Sequence, residues 1–383
     1  VLKNPEVVIL TNIISPYKTV LFNELYTICT TFKVLYLAKT EKNREWVIKK
    51  NELKFPYELA FDDPLDNINP LILLVKIWKR LIVLNPDVLI IGGYQYPAYW
   101  AALVWAKIHT KKIILWSASN QEDQERFFLK EKCKEIFVKS CDAANVYGSR
   151  NREYLLKFGM KAETIFVKGQ STDNAFYYNK SIEYRKQRNV LCEQLEIPFH
   201  NFIYIGRFSE EKNILQLLKA YNLFKLKQSN NWGLVLVGSG PQQNEITSFI
   251  ETHNLENVFM PGFKQMMEIP KYLAISDVFI LPSTSEPWGL VVNEAMAAGL
   301  PVLVSRRCGC YPDIVKEGVN GLSFDPFNVN ELSSAMQAIS DGHYNLENMG
   351  QASLDIIRNY TPRKASEVIL DTIQFVSNSE TTT

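Results

Sequence analysis

FILPSTSEPWGLVVNEAMAAG, residues 279–299, decides how this chain is read. An apolar run ends in Pro282-Ser283-Thr284-Ser285. The chain then turns through Glu286-Pro287-Trp288-Gly289 and enters a helical pattern that contains Glu294 and Ala295-Met296-Ala297-Ala298. The order is buried strand, polar loop, helix start. Such a start points backbone N–H groups and the positive end of a helix dipole at whatever lies above the strand. Glu286 and Glu294 flank this anion-attracting point. Their spacing alone says little, because two Glu eight residues apart are common by chance.

Outward from this stretch, short apolar runs alternate with amphipathic helical patterns. Strands are expected at 7–10, 32–38, 88–91, 113–116, 143–147 and 164–167, and again at 202–206, 233–237, 258–260, 278–281, 301–304 and 321–324. Continuously apolar strands separated by helices imply parallel sheets covered on both faces. Residues 39–70 are mixed and charged and give no clear element. Residues 168–195 are polar and basic, lack a strand, and are expected to hold the linker. A helical pattern over 352–375 contains Pro362, which should break or kink it. The expectation is an α/β protein of two doubly wound, Rossmann-like domains facing across a cleft: 1–175, 176–355, and a C-terminal helix, 356–383, packing back toward the N-terminal domain. Ligands in such sheets bind beyond the carboxyl ends of the strands.

Composition agrees with two globular domains. The chain has 383 residues, 46% hydrophobic and 22% charged. No apolar run reaches the roughly 20 residues of a spanning helix, and no signal peptide opens the sequence. Six cysteines show no C-x-x-C pair, and Cys308-Gly309-Cys310 has no second cluster to complete a metal site, so reduced thiols are expected. The expected localisation is cytoplasmic, with peripheral association at the cytoplasmic membrane face. Residues 1–190 hold 29 Lys and Arg against 20 Asp and Glu, whereas residues 191–383 hold 13 against 21. A basic N-terminal half suits an anionic membrane or a lipid-linked phosphate. The helix expected over 126–140, rich in Lys and apolar residues, can lie on such a surface or simply pack on its sheet.

Three more motifs stand at strand ends in the second half. Gly206-Arg207-Phe208 leads to Glu211-Lys212-Asn213, where a guanidinium and an ammonium can clamp two phosphates and Asn213 can cap the next helix. Gly238-Ser239-Gly240-Pro241 allows close backbone approach, and Gly262-Phe263 offers a turn beside a flat ring. Each has an ordinary explanation as a solvated loop or tight turn. Their fixed order with the 279–299 stretch is what is specific.

In that order the C-terminal half resembles the donor-binding domain of retaining glycosyltransferases of the GT-B fold, family 4, also called glycosyl transferases group 1. Pro312, Gly318 and Asn320-Gly321 extend the match. The resemblance is close over about 165–340 and looser before it. It implies catalytic roles for Glu286, on the transferred sugar, and for Arg207 and Lys212, on the donor diphosphate. It implies donor contacts from Gly206, Gly238, Gly262, Phe263, Trp288, Gly289, Leu290 and Val291, with Glu294 on the nucleotide ribose. The implied reaction moves a sugar, with retention, from a nucleotide sugar to a glycan or lipid-linked acceptor, in surface polysaccharide or glycolipid synthesis. No Asp-x-Asp pair occurs, and Arg, Lys and a helix dipole can hold a diphosphate without a cation, so no metal or other cofactor is expected. Nucleic acid is not an expected partner.

The first half departs from the family pattern. Thr11-Asn12-Ile13-Ile14-Ser15-Pro16-Tyr17-Lys18 replaces the common Gly-rich loop, although Leu21-Phe22-Asn23-Glu24-Leu25 matches a subset. Trp116-Ser117-Ala118-Ser119-Asn120 stands where many members place a His. Ser15, Pro16, Tyr17, Tyr94, Ser117 and Asn120 are the candidates for the acceptor side. Tyr94 can stack on an acceptor sugar or pack in the core. Two other readings remain: a nucleotide-sugar-binding protein that has lost transferase activity, and an epimerase- or phosphorylase-like enzyme on the same fold.

Overall fold

The computed structural model describes residues 5–42, 50–118, 128–227 and 231–378. It divides into two compact units, 1–171 with 362–383, and 172–361.

Unit 1 runs β1 (Val7–Thr11), α1 (Pro16–Ile28), β2 (Phe32–Tyr36), β3 (Tyr57–Leu59), α2 (Pro70–Leu84), β4 (Val88–Ile91), α3 (Pro97–Ile108), β5 (Lys112–Ser117), α4 (Phe128–Lys139), β6 (Ala143–Val146), α5 (Ser149–Lys157) and β7 (Ile165–Val167). Its sheet has the order β3-β2-β1-β4-β5-β6-β7, and all its pairs are parallel. Every residue of β1, β4 and β6 is buried, as helices on both faces require. Proline opens α1, α2 and α3, where its missing N–H costs nothing. Asn69 caps α2 by accepting from the amides of Leu71 and Ile72, and Asn85 ends it in the left-handed conformation.

Unit 2 runs α6 (Asn174–Arg185), α7 (Arg188–Gln194), β8 (His200–Ile205), α8 (Ile214–Lys227), β9 (Trp232–Val237), α9 (Gln243–Thr252), β10 (Val258–Gly262), α10 (Ile269–Ala274), β11 (Val278–Leu281), α11 (Leu290–Ala297), β12 (Val302–Ser305), α12 (Tyr311–Ile314), β13 (Gly321–Phe324), α13 (Val329–Ser340) and α14 (Leu346–Ile357). Its sheet is β10-β9-β8-β11-β12-β13, also parallel throughout. The final helix, α15 (Pro362–Asn378), belongs to unit 1. It packs on α1, the Ser366 hydroxyl donating to Leu21 O, and on β6, where Asn145 Nδ2 donates to Thr372 Oγ1 at 2.6 Å.

Each sheet reverses its winding once, between β1 and β4 in unit 1 and between β8 and β11 in unit 2. Loops leaving two such strands diverge and open a crevice at their carboxyl ends.

Three local readings are sharpened by the structure. Residues 168–195 are not a structureless linker. They contain α6 and α7, and α6 is capped by Asp173 Oδ1 accepting from Phe176 N at 2.9 Å. Pro362 breaks the pattern over 352–375 as expected: α14 ends at Ile357 and Pro362 is the first residue of α15. The unreadable 39–70 segment holds edge strand β3, whose Glu58 is paired with Lys33 and Arg80.

Candidate active site

The reversal point of unit 2 gathers three loops. After β8, Gly206-Arg207-Phe208 passes beside the loop after β9: Gly206 N donates to Val237 O and Phe208 N to Ser239 O. Gly238 N donates in turn to Gly262 O at 3.1 Å, which ties in the loop after β10. The candidate residues Gly206, Gly238 and Gly262 thus belong to one backbone-linked shelf. Phe263 is half-buried at its end.

The loop after β11 carries Glu286. Its carboxylate takes a hydrogen bond from Lys212 Nζ, joining the β8 and β11 loops at the point where the winding reverses. Both side chains are largely covered, 19% and 15% exposed. The two loops are also joined through backbone, as Thr284 N donates to Glu211 O at 2.9 Å. Arg207 lies further out. It pairs with Glu211 at 2.9 Å, both about 40% exposed, an arrangement worth little in water. Hydrogen bonds from Ser209 and Arg207 hold the Glu211 carboxyl below the usual range, against the opposing effect of burial. An anion arriving at Arg207 therefore has only a weak surface pair to displace.

Gly289 starts α11 with φ of +100°. The positive φ favours glycine, and a Cβ there would also crowd the Leu281 side chain at 2.9 Å from Cδ2. Leu290 and Val291, half-buried, form the first turn. Trp288 is 1% exposed, and its indole donates to Asn293 Oδ1 at 2.8 Å and packs against Tyr360. Its side chain anchors the turn and its backbone is what the loop presents. Ser283 lies fully buried just before, with a hydroxyl that makes no hydrogen bond among the described residues.

Glu294, one turn into α11, is half-buried beside Tyr177 of α6. Burial pushes its carboxyl up to about 7, with the Tyr177 hydroxyl partly offsetting. The linkage follows. Between about pH 4.5 and 7 the native state keeps a proton that the unfolded chain has released, so this group costs stability as pH rises through that window. The full cost stands above about pH 7. Glu294→Gln is expected to raise unfolding free energy at pH 8 by about 2 kcal/mol, after allowance for partial exposure, and to change it little at pH 4. Urea midpoints at the two pH values check this, and equal shifts at both would contradict it.

Sequence reasoning missed the second layer. Gly309 N donates to Glu286 O at 2.9 Å and Cys310 N to Trp288 O at 3.0 Å, so Cys308-Gly309-Cys310 buttresses the Glu286 turn. The cysteines are free thiols, and Cys308 and Cys310 are buried. Arg307 Nε donates to Thr284 O. Asn213 does not act as the expected N-cap. It sits at φ +60° after the 210–212 turn, and its amide donates to Pro282 O and Pro326 O.

The acceptor-side candidates all lie in unit 1. Ser15, Pro16 and Tyr17 begin α1, and Ser117 ends β5 and is buried. Tyr94 packs its ring against Phe137, centroids 6.0 Å apart, and its carbonyl accepts from Trp100 Nε1. Asn120 falls outside the described residues. In α4 three of the four lysines are matched by carboxylates: Lys132 and Lys139 pair with Glu135, and Lys134 with Glu131.

Two doubly wound parallel sheets, with a Lys–Glu couple and an Arg at the reversal point of the second, define the GT-B architecture. Residues 198–354 match the family model described as glycosyl transferases group 1. Among curated relatives, sulfoquinovosyl transferase SQD2 of Arabidopsis thaliana is 34% identical over 170 residues, covering 44% of this chain and 32% of that protein. Alpha-monoglucosyldiacylglycerol synthase of Acholeplasma laidlawii is 28% identical over 192 residues, 49% of this chain and 47% of the relative. These matches span from about a third to a half of the relatives' length. Solved structures align over nearly the whole chain. Anabaena HepE in complex with UDP has a TM-score of 0.74 at 17% identity, covering 97% of this chain and all of that one. Sucrose-phosphate synthase from Thermosynechococcus elongatus has 0.75 at 18%, covering 98% and all of that chain.

Proposed function

We propose that this chain transfers a sugar from a nucleotide-diphosphate donor to a hydroxyl of a glycan or lipid-linked acceptor, with retention and without a resident metal. The carrying observation is the convergence of Arg207, the Lys212–Glu286 couple and the start of α11 at the unit 2 reversal point. In this reading Arg207 and Lys212 hold the diphosphate, together with the α11 dipole. Glu286 accepts from hydroxyls of the transferred sugar. Glu294 accepts from the ribose diol, and the Gly262-Phe263 turn borders the base. The bond from the anomeric carbon to the phosphate oxygen breaks, and the bond to the acceptor oxygen forms on the same face. The departing phosphate takes the acceptor proton. The protein then contributes position and electrostatics, stabilising charge as it builds on the leaving group.

The UDP held by HepE makes UDP-sugars the first donors to test. A melting-temperature screen of UDP-, GDP- and ADP-sugars, with donor hydrolysis measured in parallel, should find at least one stabilising ligand. Ligand at a hundred times its Kd adds about 2.7 kcal/mol to stability. No binding and no hydrolysis across the panel would sink the reading.

The acceptor is proposed to be reached at an anionic membrane surface. Helix α2 supports this better than α4. Leu71, Ile72, Val75, Ile82 and Val83 are exposed on it beside Lys76 and Lys79, and the helix carries no carboxylate. An apolar face with cations at its flank suits an interfacial helix. Flotation with phosphatidylglycerol vesicles should recover the protein, and Leu71→Gln with Val83→Gln should abolish recovery.

A further inference from the structure

At the reversal point of unit 1, the loops leaving β1 and β4 meet through side chains. Lys18 Nζ donates to Thr11 Oγ1 at 2.7 Å and to Asn12 Oδ1 at 2.8 Å. Asn12 Nδ2 donates to Glu41 Oε1 at 2.8 Å. The hydroxyl of Tyr96, in the loop after β4, donates to the same carboxylate oxygen at 3.4 Å. Asn12, Lys18, Glu41 and Tyr96 are all half-buried. A cation, a carboxylate and an amide thus stand side by side. Such a group both donates and accepts, which suits the hydroxyls of a sugar or a glycerol. Its carboxylate would repel a bare phosphate.

Tyr96 also belongs to a second feature. It precedes α3 as the N-cap residue, and it lines a groove between α2 and α3. Leu74 and Trp78 of α2 form one wall, and Pro97, Trp100 and Val104 of α3 form the other. Spacings of three and four residues put each set on one face of its helix. Ile82 and Ile108, one turn further along, are exposed and extend the two apolar faces. The groove measures about 510 Å³, and no charged side chain lines it. That size falls within the roughly 300–1,000 Å³ of small-molecule sites. The two helices carry Lys76, Lys79, Arg80 and Lys107 and no carboxylate, a charge that an anionic lipid surface complements. Polar cluster and apolar groove meet at one side chain, as head and chain meet in an amphiphile.

We propose that unit 1 binds one amphiphile, with a lipid chain in the α2–α3 groove and a hydroxylated head at Asn12, Lys18 and Glu41. Its role as acceptor rests on the transferase reading; the binding site does not.

The test is tryptophan quenching in the full chain by octyl glucoside carrying bromine at the chain end, titrated below its critical micelle concentration. Trp78 and Trp100 line the groove, so quenching should be strong and saturable. Shortening the chain to hexyl should weaken binding about 15-fold, the loss of two buried methylenes. Val104→Asp should weaken it at least about tenfold, with UDP affinity and urea midpoint unchanged, because Val104 is 48% exposed. Leu74→Gln gives a second reading on the opposite wall. Leu71→Gln with Val83→Gln, at positions outside the groove, should leave quenching intact. Parent affinity in both groove variants, quenching that never saturates, or its loss in the Leu71/Val83 double variant would each overturn the groove. Asn12→Ala should weaken the glucoside about fivefold, one hydrogen bond's worth, and leave brominated octanol unaffected. Equal effects on the two probes would overturn the head assignment. Saturable quenching without binding of any nucleotide sugar removes the transferase reading and leaves the amphiphile site standing. Nucleotide-sugar binding without quenching does the reverse.

Discussion

Lys212→Met is expected to lower kcat/KM for sugar transfer by about 10²–10³-fold, the usual effect of losing one donor to charge that develops in a transition state. The same change strands Glu286, which is 15% exposed and accepts from Lys212 in the resting site. Removing one partner of a covered pair leaves the other charge desolvated, so stability should fall by about 1–3 kcal/mol. The two effects can be separated. In Lys212→Met/Glu286→Gln no unpaired charge remains, so stability should return nearly to the parent value while transfer stays lost. Urea unfolding and steady-state kinetics on the single and double variants complete the cycle. A double variant that transfers sugar at the parent rate would remove this site from the reaction.

Gly309→Ala is expected to damage both folding and transfer without touching a proposed ligand contact. A Cβ on Gly309 would stand 2.0 Å from Pro287 O and 2.7 Å from Pro287 C. Both are backbone atoms and cannot rotate aside, so the Glu286 turn must move. Overpacking that forces backbone shifts costs about 1–3 kcal/mol, occasionally more. Gly309 N also holds Glu286 O, so the displacement passes directly to the carboxylate. A shift near 1 Å is enough for a loss of about 100-fold in kcat. Parent-like unfolding and kcat in this variant would mean that the buttress is not rigid.

Much of the fold was legible because most of the buried parallel strands are nearly continuous apolar runs followed by a helical pattern. β3 escaped because it is three half-buried residues on an edge, with Glu58 facing two cations rather than a core. Helix α6 escaped because only Tyr177 and Ser181 on it are buried, which leaves the polar and basic look of a linker. At the site, strand-end placement of Arg207, Lys212, Glu286 and Glu294 could be read from order and spacing. Their partners could not. Glu211 is one Glu among several until it is seen on Arg207. Cys308-Gly309-Cys310 reads in the sequence as no more than reduced thiols, and its backbone contacts appear only in three dimensions. Trp288 could be read as a donor contact, but the inward turn of its indole to Asn293 could not be read.

The return of α15 to unit 1 sets an order of events during synthesis. The inward face of α1, with Leu21, Phe22 and Leu25 buried in the finished structure, is made near the start of the chain. The helix that packs on α1 begins at Pro362, after the whole of 172–361 has been made. At 5–20 residues per second that interval is about 10–40 s. Unit 2, a single continuous segment, can finish folding while unit 1 still shows an open apolar seam to the translation machinery and its chaperones. A nascent chain stalled just short of Pro362 is therefore the species on which a holdase should be found, and release should coincide with emergence of α15.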